Sequence, residues 1–218
     1  MSKESRFHIL GTAKLEQRAE GDEGLPTITG YGAVFYREDD PGTEYKFEGF
    51  WDKFAERIMP SAFDNAIKED DVRGLFNHNP SMILGRTSAG TMNLSVDATG
   101  LRYDITPPDT QAGRDVVEAI RRGDINGSSF TFVAEDVTYR EQKQEDDSIL
   151  VIRELHRAKL YDVGPVTFPA YESSTAGVRS AGELDSVREE YKAWKAEQGP
   201  PLAARLAQYR ARAVEVTT

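Results

Sequence analysis

The chain has 218 residues, no cysteine, and 27 Lys and Arg against 37 Asp and Glu, for a net charge of −10. That length builds one medium domain, or one domain with tails, and is enough for a substantial core. The acidic balance argues against a nucleic-acid partner, and the lack of Cys excludes a disulfide scaffold, a thiolate zinc site and a cysteine nucleophile. The three histidines are His8, His78 and His156, so a His-rich metal site is excluded and imidazole chemistry has few candidates. The polar start, Met1 to Arg6, leads into no long apolar run. No stretch approaches the ~18–20 apolar residues of a membrane span. A soluble protein made in a cytoplasm is expected.

In chain order, Phe7 to Ala13 reads as a strand, and Glu16 to Gly24 as a solvated loop. Thr27 to Phe35 is a second strand, in which Gly30 and Gly32 signal a bulge or a close backbone approach. Tyr45 to Phe50 suggests a short third strand. Ser61, after Pro60, is placed to cap a helix reaching about Ile67, with Asp64 in its first turn. Val72 to Asn77 looks extended. Thr91 to Val96 and Leu101 to Ile105 flank Asp97-Ala98-Thr99-Gly100, a hairpin pattern. Ala112 to Arg122 predicts a short amphipathic helix stopped by Gly123. Ser128 to Ala134, extending toward Tyr139, predicts a strand, as do Ile149 to His156 and Leu160 to Phe168. Two helices follow, Glu183 to Gln198 and Leu202 to Ala213, separated by Gly199-Pro200-Pro201. The pattern is mainly β with short helices, an α+β composition with a helical tail.

Three segments carry groups suited to chemistry. His78 ends an apolar run and precedes Asn79-Pro80, so its ring is expected at a strand end, where scaffolds present functional groups. In Gly127-Ser128-Ser129-Phe130-Thr131-Phe132, the strand period sets Ser128 on the face of Phe130 and Phe132, and Ser129 on the face of Thr131. If the Phe face is the core, Ser129 is the serine free to meet a base. No Gly-x-Ser-x-Gly elbow surrounds it, which argues against an α/β-hydrolase. Asp162 is a lone carboxylate in an apolar strand, where a charge should be paired or should orient something. Glu154 and His156 share a face of the preceding strand and are further candidates.

These segments, in this order, resemble the prohead (procapsid maturation) serine proteases of tailed bacteriophages. The resemblance rests on five blocks: Gly30 to Phe35, Glu56 to Asp64, Asn77-His78-Asn79-Pro80 with Leu84-Gly85-Arg86, Ile120 to Phe132, and Leu160 to Tyr171. It implies a serine endopeptidase on a β-barrel-like fold similar to the herpesvirus capsid maturation proteases. It also implies a nucleophile at Ser129, a base at His78 and an orienting carboxylate at Asp162. His156 remains open as the third member, because the herpesvirus enzymes use a second His, and so does Glu154. This chain departs from the family pattern at five positions, the first being Ser61, which stands for the usual Gly of the Glu56 to Asp64 block. Ser128 stands for the usual Met, Thr131 for a Gly, Asp162 for the more frequent Glu, and Gly164 for a frequent Ser.

The implied substrates are scaffold segments of the immature capsid, or the major capsid protein, and the protease itself. The implied location is inside the prohead in the host cytoplasm. No cofactor, metal, nucleic acid or membrane is called for, and self-association is left open. The Gly85-Arg86 turn and the Gly164 region are candidate sources of oxyanion donors. On this reading, 1–26 form an N-terminal strand and polar loop, 27–176 the protease core and 177–218 a helical tail. A non-enzymatic capsid assembly or scaffold protein on the same barrel is the alternative.

Overall fold

The computed structural model describes residues 3–17, 24–47, 53–168 and 181–198, with backbone only over 7–11, at 47 and over 181–184. The strands are β1 (Glu4–Glu16), β2 (Thr27–Val34), β3 (Tyr45–Phe47), β4 (Lys53–Ile58), β5 (Arg73–Leu75), β6 (Ile83–Arg86), β7 (Met92–Val96), β8 (Gly100–Ile105), β9 (Gly127–Lys143) and β10 (Ile149–Val166). The helices are α1 (Ala66–Glu69), α2 (Gln111–Arg122) and α3 (Ala181–Glu197). The chain falls into two units, residues 1–179 and 180–218. The second contains α3, on which the Tyr191 and Trp194 rings stack at 5.9 Å.

The first unit is one sheet in the order β3-β4-β10-β9-β1-β2-β8-β7, with β5 also on β10 and β6 on β5. The mainly β expectation holds. The closed barrel does not. The path that begins at β6 ends at β7, and no ladder joins these two among the described residues. They are consecutive in sequence, and the Thr91 N–H donating to the Arg86 carbonyl (3.3 Å) ties the turn between them.

The core gathers the inward faces of these strands. Phe35, Phe63, Phe130 and Phe132 are fully buried, with Phe130 stacked on Phe132 at 5.0 Å and meeting Phe63 edge-on at 5.6 Å. The apolar stripe of α2, Val116, Val117 and Ile120, is buried too. Thr110 caps this helix by accepting from the Gly113 N–H (3.2 Å). Gly30 meets the expected close approach, since a Cβ there would stand 2.5 Å from the Tyr103 hydroxyl.

Several elements differ from the sequence expectation. Residues 60–64 form successive turns, and the helix is only Ala66–Glu69, with Asn65 at its N-cap position. Ser61 does not cap it and instead donates to the His156 carbonyl (3.4 Å). Gly85 and Arg86 lie inside β6, not in a turn. The two strands expected between Ile149 and Phe168 are one, β10, whose pairing slips at Leu155/Arg157, Arg157/Ala158 and Leu160/Asp162. Bulges keep a long bent strand paired where polar residues interrupt its pattern. β4 has no counterpart in the prediction, because Glu56 breaks its apolar pattern although it is fully buried. The helix expected over Leu202–Ala213, the Pro169–Tyr171 end of the last block and residues 48–50 lie outside the described residues.

β4 is held by a buried ionic quartet. Glu4 and Arg6 from β1, Glu56 from β4 and Arg153 from β10 are all essentially inaccessible. Arg6 Nε donates to Glu56 Oε1 (2.6 Å), and Arg153 Nη1 and Nη2 each donate to Glu4 at 2.9 Å. Two cations and two anions cancel, which makes burial tolerable. Burial by itself would raise the Glu56 carboxyl, but Arg6 and Arg153 outweigh it and hold it below its ordinary value.

Candidate active site

The site is built at one end of the β9–β10 ladder. Ser128 and Ser129 alternate as the strand period requires. Ser128 lies with the Phe face, its Oγ 2.6 Å from the buried Tyr103 hydroxyl. Ser129 lies on the other face, its Oγ 2.6 Å from His78 Nε2. Both serines are nearly inaccessible, so their partners distinguish them and exposure does not.

Asp162 reaches the same face through a bulge. In the ladder Leu160 pairs with Phe132, while Asp162 pairs with Thr131, leaving Tyr161 as the extra residue. Without that insertion Asp162 would share the buried face of Leu160, two residues back. The bulge moves it beside Thr131, and its Oδ1 accepts from His78 Nδ1 in a short contact.

His78 arrives from the opposite edge of β10. β5 runs parallel to that edge, with Arg73 opposite Asp162 and Gly74 opposite Val163. The chain then turns through Asn77 and His78, both left-handed at φ of 53° and 55°. Two such residues in succession cost of order 1 kcal/mol or more each unless they are held. Asn77 holds them like an extra rung of sheet. Its N–H donates to the Pro165 carbonyl (3.1 Å), its Nδ2 donates to Thr167 Oγ1 (2.9 Å), and its Oδ1 accepts the Thr167 N–H (2.9 Å).

Two further groups touch the ensemble. Thr131 Oγ1 lies 2.9 Å from His78 Nδ1. The Ser129 hydroxyl also faces the Arg6 carbonyl, to which it can donate at 2.8 Å. Because β1 pairs with β9 at Arg6 and Phe130, the ionic quartet that fixes the Arg6 side chain also fixes this carbonyl. A cleft of about 510 Å³ borders His78, Thr131 and Asp162, with Lys3, Ser5 and Arg73 also on its wall.

Chemically, a hydroxyl on one ring nitrogen and a carboxylate on the other is the arrangement that lets an imidazole draw a proton from oxygen. The chain matches the Caudovirus prohead serine protease family over residues 13–189. It belongs to that family. No curated protein and no solved structure matches it.

Membership in the prohead serine protease family makes a serine protease acting on capsid proteins the broad expectation. Among the described residues no helix is long and apolar enough to cross a membrane. The remaining candidates from the sequence have other partners. His156 Nε2 lies 2.9 Å from Thr138 Oγ1, and Glu154 pairs with Arg140 at 2.7 Å. His156 is six residues before Asp162 on β10, roughly 20 Å at the rise of a strand. Arg86, once a candidate for oxyanion stabilisation, chelates Asp71, and its N–H donates to Thr91 Oγ1 (3.0 Å).

Sequence reasoning missed Asn77, the Arg6 carbonyl and the hydrogen bond of Thr131. Asn77 had a readable signal, since Asn is among the few residues that accept a left-handed backbone. The Arg6 carbonyl had none, because a main-chain oxygen leaves no trace in residue type.

Proposed function

We propose that Ser129, His78 and Asp162 are the catalytic residues of a serine endopeptidase that cleaves capsid scaffold segments and itself during prohead maturation. The observation that carries the reading is the imidazole bridge, with Ser129 Oγ 2.6 Å from His78 Nε2 and Asp162 on Nδ1. With the Nδ1 proton donated to Asp162, Nε2 is the ring's free lone pair and accepts the serine proton. Ser129 Oγ then adds to the scissile carbonyl, and the imidazolium, stabilised by Asp162, returns the proton to the leaving amine. Water repeats the cycle to release the acyl group. The reaction takes place inside the immature capsid in the host cytoplasm, with the major capsid protein or its scaffold segment as substrate.

The test is intact-mass spectrometry of the wild-type chain and Ser129→Ala, each expressed with its capsid protein. The wild type is expected to trim both itself and the capsid chain. Identical processing by Ser129→Ala would refute the reading.

A further inference from the structure

We infer that Thr131 is a positioning residue for the same reaction. It supplies a second acceptor to His78 Nδ1–H and locks the ring toward Ser129. This rests on the triad reading above. Thr131 follows Ser129 by two residues on β9 and so shares its face, directly across the ladder from Asp162. It is buried at 7 % exposure, with Oγ1 2.9 Å from His78 Nδ1 and 3.0 Å from Ser5 Oγ.

The direction of these bonds follows from proton counting. Nδ1 carries its proton toward Asp162 both before and after the ring takes a second proton at Nε2. The Thr131 oxygen therefore only accepts from Nδ1–H, and its own proton is left for Ser5 Oγ. The Nδ1–H is thus shared between a carboxylate and a hydroxyl, one on β10 and one on β9. Two acceptors on different strands oppose rotation of the ring out of line with Ser129. The β-branched threonine, stiff about χ1, holds its oxygen in place. A glycine at 131 would leave the carboxylate as the single acceptor described for Nδ1.

An acceptor on Nδ1–H also binds the charged ring more strongly than the neutral one. Removing it makes the charged ring less favourable, so the acid limb of the activity profile moves to lower pH. Other charged or titratable groups around the ring are Asp162 and Tyr161 on β10, Arg73 on β5 and Lys3 just before β1. All are present in every variant compared.

The experiment measures the rate at which diisopropyl fluorophosphate modifies the full-length chain as a function of pH, which requires no knowledge of the natural substrate. Thr131→Val removes the hydroxyl at nearly constant volume, Thr131→Ser keeps it, and Thr131→Ala replaces the valine if that variant packs badly. The valine variant is expected to react about 10–100-fold more slowly, the range set by a hydrogen bond to a charged group, with its acid limb at lower pH. The serine variant should recover most of the rate and the wild-type profile. A wild-type rate and profile in Thr131→Val, or an equal loss in Thr131→Ser, overturns the role of Thr131. Ser129→Ala is run alongside. Persistent labelling of Ser129→Ala, or no labelling of the wild type, overturns the triad reading itself.

Discussion

The carbonyl oxygen of Leu75 occupies the place a side chain on Gly164 would need, 2.2 Å from where its Cβ would stand. Gly164 is the ladder partner of Ser129, and Leu75 ends β5, three residues before His78. The missing Cβ is what lets the His78 segment lie against the strand pair that carries Ser129 and Asp162.

Gly164→Ala should therefore damage stability and site together. The clash is with backbone, which no side-chain rotation relieves, so β5 and β10 must separate. We expect a loss of about 3 kcal/mol or more in urea unfolding. Where the chain still folds, fluorophosphonate labelling of Ser129 should be abolished.

Asn77 supports the other side of the same turn. Asn77→Ala removes both side-chain bonds to Thr167 and puts at φ 53° a residue without asparagine's tolerance of the left-handed backbone. It should cost about 2 kcal/mol and lower the labelling rate more than ten-fold. Asn77→Asp keeps the acceptor for the Thr167 N–H and tolerates the left-handed backbone, so it should cost less than half as much. Thermal unfolding and labelling of the pair check the order.

The contrast between Ser129 and Asp162 indicates how much a sequence can disclose. Alternation along β9 assigns Ser128 to the aromatic core and Ser129 to the opposite face, because a strand period is local and survives any packing. Asp162 was legible as a candidate only because a lone charge in an apolar strand demands a partner. Its face was not, because the bulge at Tyr161 shifts the parity of the strand without leaving a marker residue. β4 was hidden for a related reason. Glu56 reads as solvated in sequence, and only three-dimensional proximity to Arg6 and Arg153 makes its burial tolerable. The expected barrel closure depended on whether β6 and β7 pair, which is a property of sheet curvature and not of either segment.

The quartet predicts a pH dependence of stability. Glu56 is held below its ordinary value of 4.5, because the attraction of Arg6 and Arg153 outweighs the burial that would raise it. A carboxyl with a lowered folded value contributes stability that is fully present above its unfolded value and is lost as pH falls through the folded one. The wild type should thus lose stability progressively below the ordinary value of 4.5. Glu56→Gln leaves two buried guanidinium groups with one carboxylate and should be less stable at neutral pH by about 3–5 kcal/mol. Its stability should change less steeply in acid, since the titrating group is gone. Urea unfolding from about pH 7 to about pH 3 separates the two curves. Parallel curves would show that Glu56 is not the group responsible.

Asp162→Asn isolates orientation from shape. The amide fills the same space, but it can donate a proton to His78 Nδ1, which the carboxylate cannot do. Such donation moves the ring's proton to Nε2 and leaves that nitrogen unable to accept from Ser129. The fold should survive, because Asp162 sits at the edge of the cleft with 8 % of its surface exposed. Labelling of Ser129 should fall by about 10³–10⁴-fold, the scale of the equivalent change in well-characterised serine proteases. Glu154→Gln and His156→Gln, whose side chains engage Arg140 and Thr138, should label within about three-fold of the wild type, as surface changes do. A large loss in either of those variants, with Asp162→Asn still active, would transfer the third role away from Asp162.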